Sequence, residues 1–260
     1  MDVLQLKQIA LERRRDIVRM DYASSAGHVG GALSCIDILV ALYFDAMGEK
    51  DHFIQSKGHC AEALYSVLAE KGKIPKEELN TYCQAGSRLY GHPTVKVPGV
   101  EVCTGALGHG LPVALGMAKG LKASGGRVFV LLGDGEMAEG SNWEAIMAAA
   151  HYKLDNLVAV VDRNHLQISG NTEQVLAAGD MAARARAFGW AAADVDGHDM
   201  AALTKALKTL PLEAGKPTML VARTMKGKGV SFMENDPHWH HGVMNAQQYA
   251  TALRDLGVEE

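Results

Sequence analysis

The chain has 260 residues, 48% of them hydrophobic and 6% aromatic, and its 26 basic and 30 acidic side chains give a net charge of −4. This composition supplies enough apolar sequence for one large core or for two small domains. Opposite charges are interspersed along the chain and form no basic stripe. We therefore expect neither nucleic acid nor an anionic membrane as a partner.

The cysteines and the N-terminus bear on the compartment. Cys35, Cys60, Cys83 and Cys103 form no CxxC pair, so we expect reduced thiols rather than disulfides or a zinc site. The first residues are charged and amphipathic and lack the apolar core of a signal peptide. We expect no apolar stretch of membrane-spanning length. The expected location is the cytoplasm.

Helical patterns dominate the first third of the chain. Apolar periodicity predicts helices over residues 3–20, 36–47 and 60–71. The run Arg13–Arg15 falls inside the first of these, and we expect it to form a solvated helix face. The glycine- and proline-rich segment 86–110 is expected to form a folded loop.

An alternation of strands and helices follows. Short apolar runs at 127–132, 157–161, 191–195 and 218–222 are typical of buried parallel strands, and helical patterns lie between them at 141–153, 180–188 and 199–209. Such alternation predicts an α/β fold with a doubly wound parallel sheet. We expect one domain over residues 1–245 and a C-terminal tail over 246–260 with one short helix.

Two of the predicted strands end in polar side chains. The first is followed by Gly133, Asp134 and Gly135, and the next by Asn164. Neighbouring parallel strands would bring both ends to one edge of the sheet, where ligands bind. Carboxylate and amide oxygens suit Mg²⁺ or Ca²⁺, and the glycines let a phosphate approach the backbone. The alternative is a tight turn in which Asp134 only caps backbone amides.

Histidines next to glycine recur along the chain. They are His28, His59, His92 and the group His238–His241. Each alone would be an ordinary loop or core residue, but together they provide groups that hold hydroxyls and carry protons near neutral pH. A transition-metal site in His238–His241 is an alternative that lacks an evident fourth ligand.

The segment 133–145 with Asn164 resembles the thiamine diphosphate signature, in the version found in transketolases. This resemblance implies the fold of a thiamine-diphosphate-binding domain of the diphosphate (PP) type. It also implies that Asp134, Asn164 and the main-chain carbonyl of Leu166 bind the metal ion. By the same resemblance, Glu139 lies at a subunit interface and connects paired active sites.

The histidine motifs also resemble those of transketolases. On that basis His28 lies near the thiazolium and the first hydroxyls of the donor, and His59 contacts the cofactor diphosphate and the substrate. His92, in Gly-His-Pro, would bind the terminal hydroxyl of the donor. His238 and His241 fit a His-x-x-His-Gly pattern, and we favour His238 as the residue for the diphosphate and for proton transfer.

Two loops extend the resemblance. The segment Thr104–Leu111 is similar to a Thr-Gly-x-Leu-Gly-x-Gly loop that passes beside the diphosphate and aminopyrimidine, which implies that Gly105 and Leu107 contact the cofactor. His109 departs from the glutamine common at its position, so we assign it no catalytic task. The segment Lys226–Gly229 fits the family loop after the last strand.

The resemblance runs from about residue 10 to 245 and matches only the N-terminal part of a full transketolase. The family activates its cofactor with a glutamate from another domain. We therefore predict a partner chain with pyrimidine-binding and C-terminal domains, self-association across a dimer interface, and transfer of a two-carbon ketol unit between sugar phosphates. Alternatives are the α subunit of a 2-oxo acid dehydrogenase, a deoxyxylulose phosphate synthase fragment, and a noncatalytic module on the same fold.

Overall fold

Helices and strands alternate through most of the chain in the computed structural model, which describes residues 1–258. The helices are α1 Val3–Ser24, α2 Val29–Ala41, α3 Ala61–Glu70, α4 Gly110–Leu121, α5 Gly140–His151, α6 Thr172–Leu176, α7 Met181–Ala187, α8 Met200–Lys208 and α9 Ala246–Asp255. The strands are β1 His52–Gln55, β2 Val128–Gly133, β3 Leu157–Arg163, β4 Leu166–Gln167, β5 Gly170–Asn171, β6 Ala191–Asp196 and β7 Thr218–Arg223.

Five strands form one parallel sheet in the order β1-β2-β3-β7-β6. Every residue of β2 and β3 is buried, which explains why their sequences are continuous apolar runs rather than alternating ones. The predicted parallel α/β sheet is confirmed, with its four predicted strands in place. The edge strand β1 was not predicted. The short pair β4-β5 is a separate antiparallel hairpin.

The core has two layers, one on each face of the sheet. Side chains of β3 alternate between them, because successive residues of a strand point to opposite faces. Val158 and Val160 join the layer formed with α1, α2, α3 and α8, whereas Leu157, Ala159 and Val161 join the layer formed with α4, α5 and α7. Helices on both faces make the sheet doubly wound.

Helix α2 is the most apolar element of the first layer. With the π-helical turn after it, Val29–Ala46 is long and apolar enough by composition to cross a membrane, with a mean hydropathy of 1.6 over 18 residues. Our sequence expectation that no stretch reaches that length was wrong. The apolar composition has a local cause, because 78% of the stretch is buried and α2 packs against α1, α3 and α8.

The basic run of α1 is not a solvated face. Arg13 and Arg14 are only 6% and 8% exposed. Arg14 donates to both oxygens of Asp37 on α2, at 3.0 and 2.6 Å. The prediction failed because α1 packs against α2 and α3, so its arginines meet carboxylates across helix contacts.

Asp37 also connects this ion pair to a loop after β7. His198 Nδ1 lies 2.8 Å from Asp37 Oδ2, and its Nε2 accepts from the amide of Met225 at 2.9 Å. Arg14 Nε donates to the carbonyl of Lys228 at 3.1 Å. Two points of the 225–228 loop are thus fixed to the helical layer.

Removing Asp37 should strongly destabilise the protein. The Asp37→Ala variant would leave the buried Arg14 guanidinium unpaired, and we expect a loss of about 3–5 kcal/mol in the free energy of unfolding at pH 7, measured by urea denaturation. Burial alone would raise the Asp37 pKa, but Arg14 and His198 outweigh it and hold the pKa at about 2. Because the folded pKa is depressed, this stabilisation should persist above pH 4 and disappear as the pH falls towards 2.

Asp16 of α1 provides a matched control. Asp16 pairs with Arg13 at 2.8 Å, but Arg13 keeps Glu70 as a second partner. We expect Asp16→Ala to cost less than about 1 kcal/mol. Equal losses in the two variants would contradict the role assigned to Asp37.

The tail forms the helix α9 on the surface of α1. The rings of Tyr22 and Tyr249 stack with their centroids 4.0 Å apart. The Arg15 guanidinium donates to the carbonyl of Leu256 at 2.9 and 2.7 Å. The short helix expected in the tail is therefore present and packed. Residues 259–260 of that prediction lie outside the described part of the chain.

Candidate active site

One cavity of about 410 Å³ lies at the carboxyl edge of the sheet. The residues after β1, β2, β3 and β7 converge on it, as expected for a ligand site in an open parallel sheet. Gly133 and Asp162 are direct neighbours in the β2-β3 ladder. The turns that follow these two strands therefore emerge side by side.

Asp134 lines the cavity and is 3% exposed. Its Oδ1 accepts from the amide of Gly135 at 2.9 Å, and its Oδ2 accepts from the amide of His165 at 2.7 Å. Asp134 thus caps backbone amides and also lines the cavity. Burial, with the charge of Asp162, raises its pKa to about 6. A cation bound here would stabilise the charged form.

Asn164 stands beside it on the next strand end and is 5% exposed. Its Nδ2 donates to Asp162 Oδ2 at 3.2 Å and to Ser34 Oγ at 3.3 Å, which fixes the orientation of the amide group. Oδ1 accepts from the amide of Leu166 at 3.1 Å and retains a second lone pair. Leu166 also lines the cavity. All three predicted metal ligands therefore lie on one cavity.

Two lysines bring positive charge to the same cavity. Lys57 is 1% exposed and forms an ion pair with Asp162. Lys226 is 2% exposed and donates to the carbonyl of Leu166 at 3.3 Å. Burial and the charge of Lys57 lower the pKa of Lys226 to about 8. Within residues 1–258 Lys226 has no carboxylate partner, so an anion in the cavity would compensate its charge.

All the predicted histidines except His238 form one cluster with His240 next to the cavity, and His28 lies in the middle. The ring centroid of His28 lies 5.3 Å from that of His59, 5.9 Å from His92, 5.5 Å from His240 and 4.8 Å from His241. Burial lowers the pKa of His28 to about 4 and also lowers the pKa of His92. At neutral pH the His28 and His92 rings are therefore uncharged, and each can both donate and accept a hydrogen bond.

The histidine that faces the cavity in the last loop is His240, and our expectation for His238 is corrected. Residues Pro237–His240 form a 3₁₀ turn, in which successive side chains point about 120° apart. Trp239 is buried, so His238 points outwards and is exposed, while His240 lines the cavity. Lys226 Nζ lies 2.8 Å from His240 Nδ1. When Lys226 donates a hydrogen bond to Nδ1, the neutral His240 ring carries its proton on Nε2 and donates from there.

Glu136 connects the glycine-rich loop 104–110 to the turn after β2. It accepts from the amides of Gly108 and Gly133, both at 3.0 Å, and from the hydroxyl of Ser56. Gly105 in that loop has a φ of +142°, and a Cβ there would lie 2.9 Å from the His92 ring. The loop needs glycine at this position to pass between the histidines and the cavity.

Nine of the predicted cofactor or metal residues line the cavity: His59, Gly105, Leu107, Gly133, Asp134, Gly135, Glu139, Asn164 and Leu166. The predicted catalytic residues His28, His92 and His241 lie in the adjoining cluster. Sequence reasoning missed the roles of Lys57, Glu136 and His240. Their positions in the sequence could have indicated them. Lys57 and His240 are close in sequence to the glycine-flanked histidines, and Glu136 lies within the segment 133–145.

The fold and the cavity define a parallel α/β domain with a polar cavity beyond the carboxyl ends of its strands. Comparison with known proteins gives the family. Residues 13–260 match the family described as transketolase, thiamine diphosphate binding domain, and the chain belongs to this family.

Two relatives have nearly the same length as this chain, and both are named as one subunit of an apulose-4-phosphate transketolase. The chain is 47% identical to the relative from Phocaeicola vulgatus, over 98% of this chain and 95% of that protein. It is 43% identical to the relative from Actinobacillus succinogenes, over 99% of this chain and 97% of that protein. The family assignment favours the transketolase interpretation over the 2-oxo acid dehydrogenase alternative.

A solved transketolase shows how much of a longer enzyme this chain matches. All of the chain superimposes on the crystal structure of transketolase from Campylobacter jejuni with a TM-score of 0.92 and 28% identity. The match spans only 44% of that transketolase chain.

Proposed function

We propose that this chain is the diphosphate-binding subunit of a two-chain, thiamine-diphosphate-dependent transketolase. The complex would transfer a two-carbon ketol unit from a ketose to an aldose. One observation carries the proposal: Asp134 and Asn164, both buried, face the same cavity as Lys226, which has no carboxylate partner among the described residues. That combination suits a hard cation together with a polyanion.

The residues present fit the implied cofactor. Asp134, Asn164 and the carbonyl of Leu166 would hold Mg²⁺, or Ca²⁺ in its place, and Lys226 would offset the charge of the diphosphate. Gly133 and Gly135 also line the cavity and allow close approach of the backbone. When bound, thiamine diphosphate supplies the carbanion chemistry that carbon–carbon cleavage requires.

The histidines would handle the sugar. His28 and His92 are uncharged at neutral pH for the reason given above, so each can accept one hydroxyl proton and donate another hydrogen bond. His240 would donate through Nε2 on the cavity side. His59 and His241 complete a wall of imidazoles suited to a polyhydroxylated chain.

A second chain would complete the site. The two relatives of matching length are named as single subunits of a transketolase, which supports a split enzyme. Glu139 is exposed at the mouth of the cavity, consistent with the interface position that the family resemblance implies. Val113 on α4, Met147 on α5 and Ile168 at the cavity rim are 40%, 54% and 73% exposed. We infer a partner with the pyrimidine-binding and C-terminal domains, and an assembly of two copies of each chain in the cytoplasm.

The donor is proposed to be a ketose phosphate. Apulose 4-phosphate is the first compound to test, because it appears in the names of both relatives of matching length. Residues that would recognise the sugar phosphate are expected mainly on the partner chain.

Reconstitution tests the proposal. Ketol transfer would be assayed with thiamine diphosphate and Mg²⁺, using this chain alone, the product of the adjacent coding region alone, and their mixture. We expect activity only in the mixture. Activity of this chain alone would show that it carries its own activating carboxylate. Cofactor binding without activity in the mixture would favour the noncatalytic interpretation.

A further inference from the structure

Two carboxyl groups lie buried directly behind the histidine cluster. Asp21 is in the last turn of α1 and Glu62 is in the first turn of α3, and both are 0% exposed. Within residues 1–258, neither oxygen of Asp21 has a hydrogen-bond partner. Oε2 of Glu62 also has none there within hydrogen-bond geometry, although the Tyr82 hydroxyl lies near the Glu62 carboxyl group. A buried carboxylate without partners is costly, so this arrangement requires an explanation.

The two groups meet at Gly27, the residue before His28. A Cβ added at Gly27 would collide with Glu62 Oε1 and would lie 2.5 Å from Asp21 Oδ1. Both oxygens therefore face the same point of the backbone. Gly27 has a φ of +143°, so only glycine satisfies both the backbone conformation and the available space.

No cation neutralises the pair in the described part of the chain. Neither Asp21 nor Glu62 takes part in an ion pair there. The titratable groups that act on them from the surrounding elements are His28, Cys60, Tyr65, Tyr82 and Cys83. None of these is positively charged at neutral pH, given the lowered pKa of His28. Two adjacent buried carboxyls cannot both ionise readily under these conditions.

Glu62 has a second contact that links the pair to the active site. The amide of His28 donates to Glu62 Oε1 at 2.6 Å. One turn further along α3, the Tyr65 hydroxyl lies 2.9 Å from the carbonyl of Tyr90 and 3.2 Å from that of His92, and its single proton is shared between them. The same side of α3 therefore fixes the backbone at two histidines of the cluster.

We propose that Asp21 and Glu62 share one proton and act as a positioning pair for His28, so that loss of this proton in alkaline solution displaces His28 and slows ketol transfer. The catalytic consequence rests on the function proposed above. The shared proton itself does not depend on that function.

The electrostatics agree with the geometry. Burial raises the pKa of Glu62 to about 7, and burial together with Glu62 raises the pKa of Asp21 to about 9. One proton therefore remains on the pair between these values. Because both folded pKa values are raised, the contribution of the pair to the free energy of unfolding is greatest in acid. This contribution declines as the pH rises, until both carboxyl groups are ionised above pH 9.

Substitutions distinguish the effect of the proton shared by Asp21 and Glu62 from the effect of the hydrogen bond between Glu62 and the His28 amide. Asp21→Asn can still donate to Glu62 but cannot titrate, so we expect kcat within about threefold of the wild type at pH 7 and an alkaline decline shifted upwards by about one pH unit or more. Glu62→Ala removes the acceptor for His28, and we expect kcat to fall about tenfold or more with a smaller change in KM. The Glu62→Gln variant keeps an acceptor for the His28 amide, so it should retain most of the wild-type kcat. The control Asp16→Asn, on the same helix, should leave the profile unchanged.

An activity-independent readout accompanies the kinetics. The infrared carbonyl stretch of a neutral, buried carboxyl group should be present in the purified chain at pH 8 and absent in Asp21→Asn. An Asp21→Asn profile identical to the wild type, or a Glu62→Ala variant with unchanged kcat, would overturn the positioning role. A stoichiometric K⁺ or Ca²⁺ that Asp21→Asn fails to retain would overturn the shared proton. If the infrared signal is present but no mixture of the chains transfers a ketol unit, the shared proton would be supported and the transketolase function would be refuted.

Discussion

Asp134→Ala should abolish ketol transfer by the reconstituted two-chain complex, with kcat/KM falling by at least about 100-fold. Outer-shell partners of metal ligands already contribute 10- to 100-fold, and Asp134 is proposed as a ligand itself. The substitution removes a buried carboxylate that lines the cavity together with Asn164 and Lys226. The measurement is the initial rate at saturating cofactor, together with a titration of Mg²⁺ and thiamine diphosphate monitored by tryptophan fluorescence.

The effect must be separated from the loss of a backbone cap, because Asp134 accepts from the amides of Gly135 and His165. Asp196 is a suitable control. It is the last residue of β6, at the same edge of the sheet, and caps the amide of His198 at 2.9 Å, but it is exposed and does not line the cavity. We expect Asp196→Ala to keep its activity within about threefold of the wild type. Normal cofactor affinity in Asp134→Ala would contradict the assigned metal site.

The sequence predicted the parts of the fold that depend on local pattern. Continuous apolar runs mark β2 and β3 because both of their faces are covered by helices. The edge strand β1 has only four residues and polar ends, His52 and Gln55, so no apolar run distinguishes it. The burial of Arg14 was not predicted for a related reason. Helical periodicity does not reveal that a carboxylate on another helix pairs with its guanidinium.

In the candidate site, too, local sequence patterns were predictable and contacts between distant elements were not. A glycine next to an aspartate at the end of a strand can be recognised from the sequence alone. Because the strands are parallel neighbours, Asp134 and Asn164 then lie at the same edge of the sheet. The pair of Lys57 with Asp162 joins residues 105 positions apart, and Asp21 meets Glu62 across two helices. Buried polar contacts of this kind leave no periodic signal, because each depends on how elements dock. The sequence therefore located the cavity and Asp134, but not the buried ion pair of Lys57 with Asp162 or the contact of Asp21 with Glu62.

The choice between His240 and His238 gives the second large expected effect. His240→Ala should lower kcat/KM by about 100-fold, within the range usual for a residue that positions or transfers a proton. The substitution removes both the ring that lines the cavity and the acceptor for Lys226. The loss should appear in the reconstituted complex at pH 7 as a reduced kcat/KM with normal assembly of the two chains.

His238→Ala is the matched control, because it lies in the same turn, changes the same side chain and keeps the buried Trp239 in place. His238 is exposed, its ring lies edge-on against Trp239, and its backbone amide donates to Asp236 Oδ1 at 2.9 Å. We expect its activity to stay within about threefold of the wild type. The reverse order of effects would mean that the partner chain reorients the 237–241 turn and brings His238 into the site, as the His-x-x-His-Gly pattern first indicated. Similar losses in both variants would instead assign the effect to the turn as a whole.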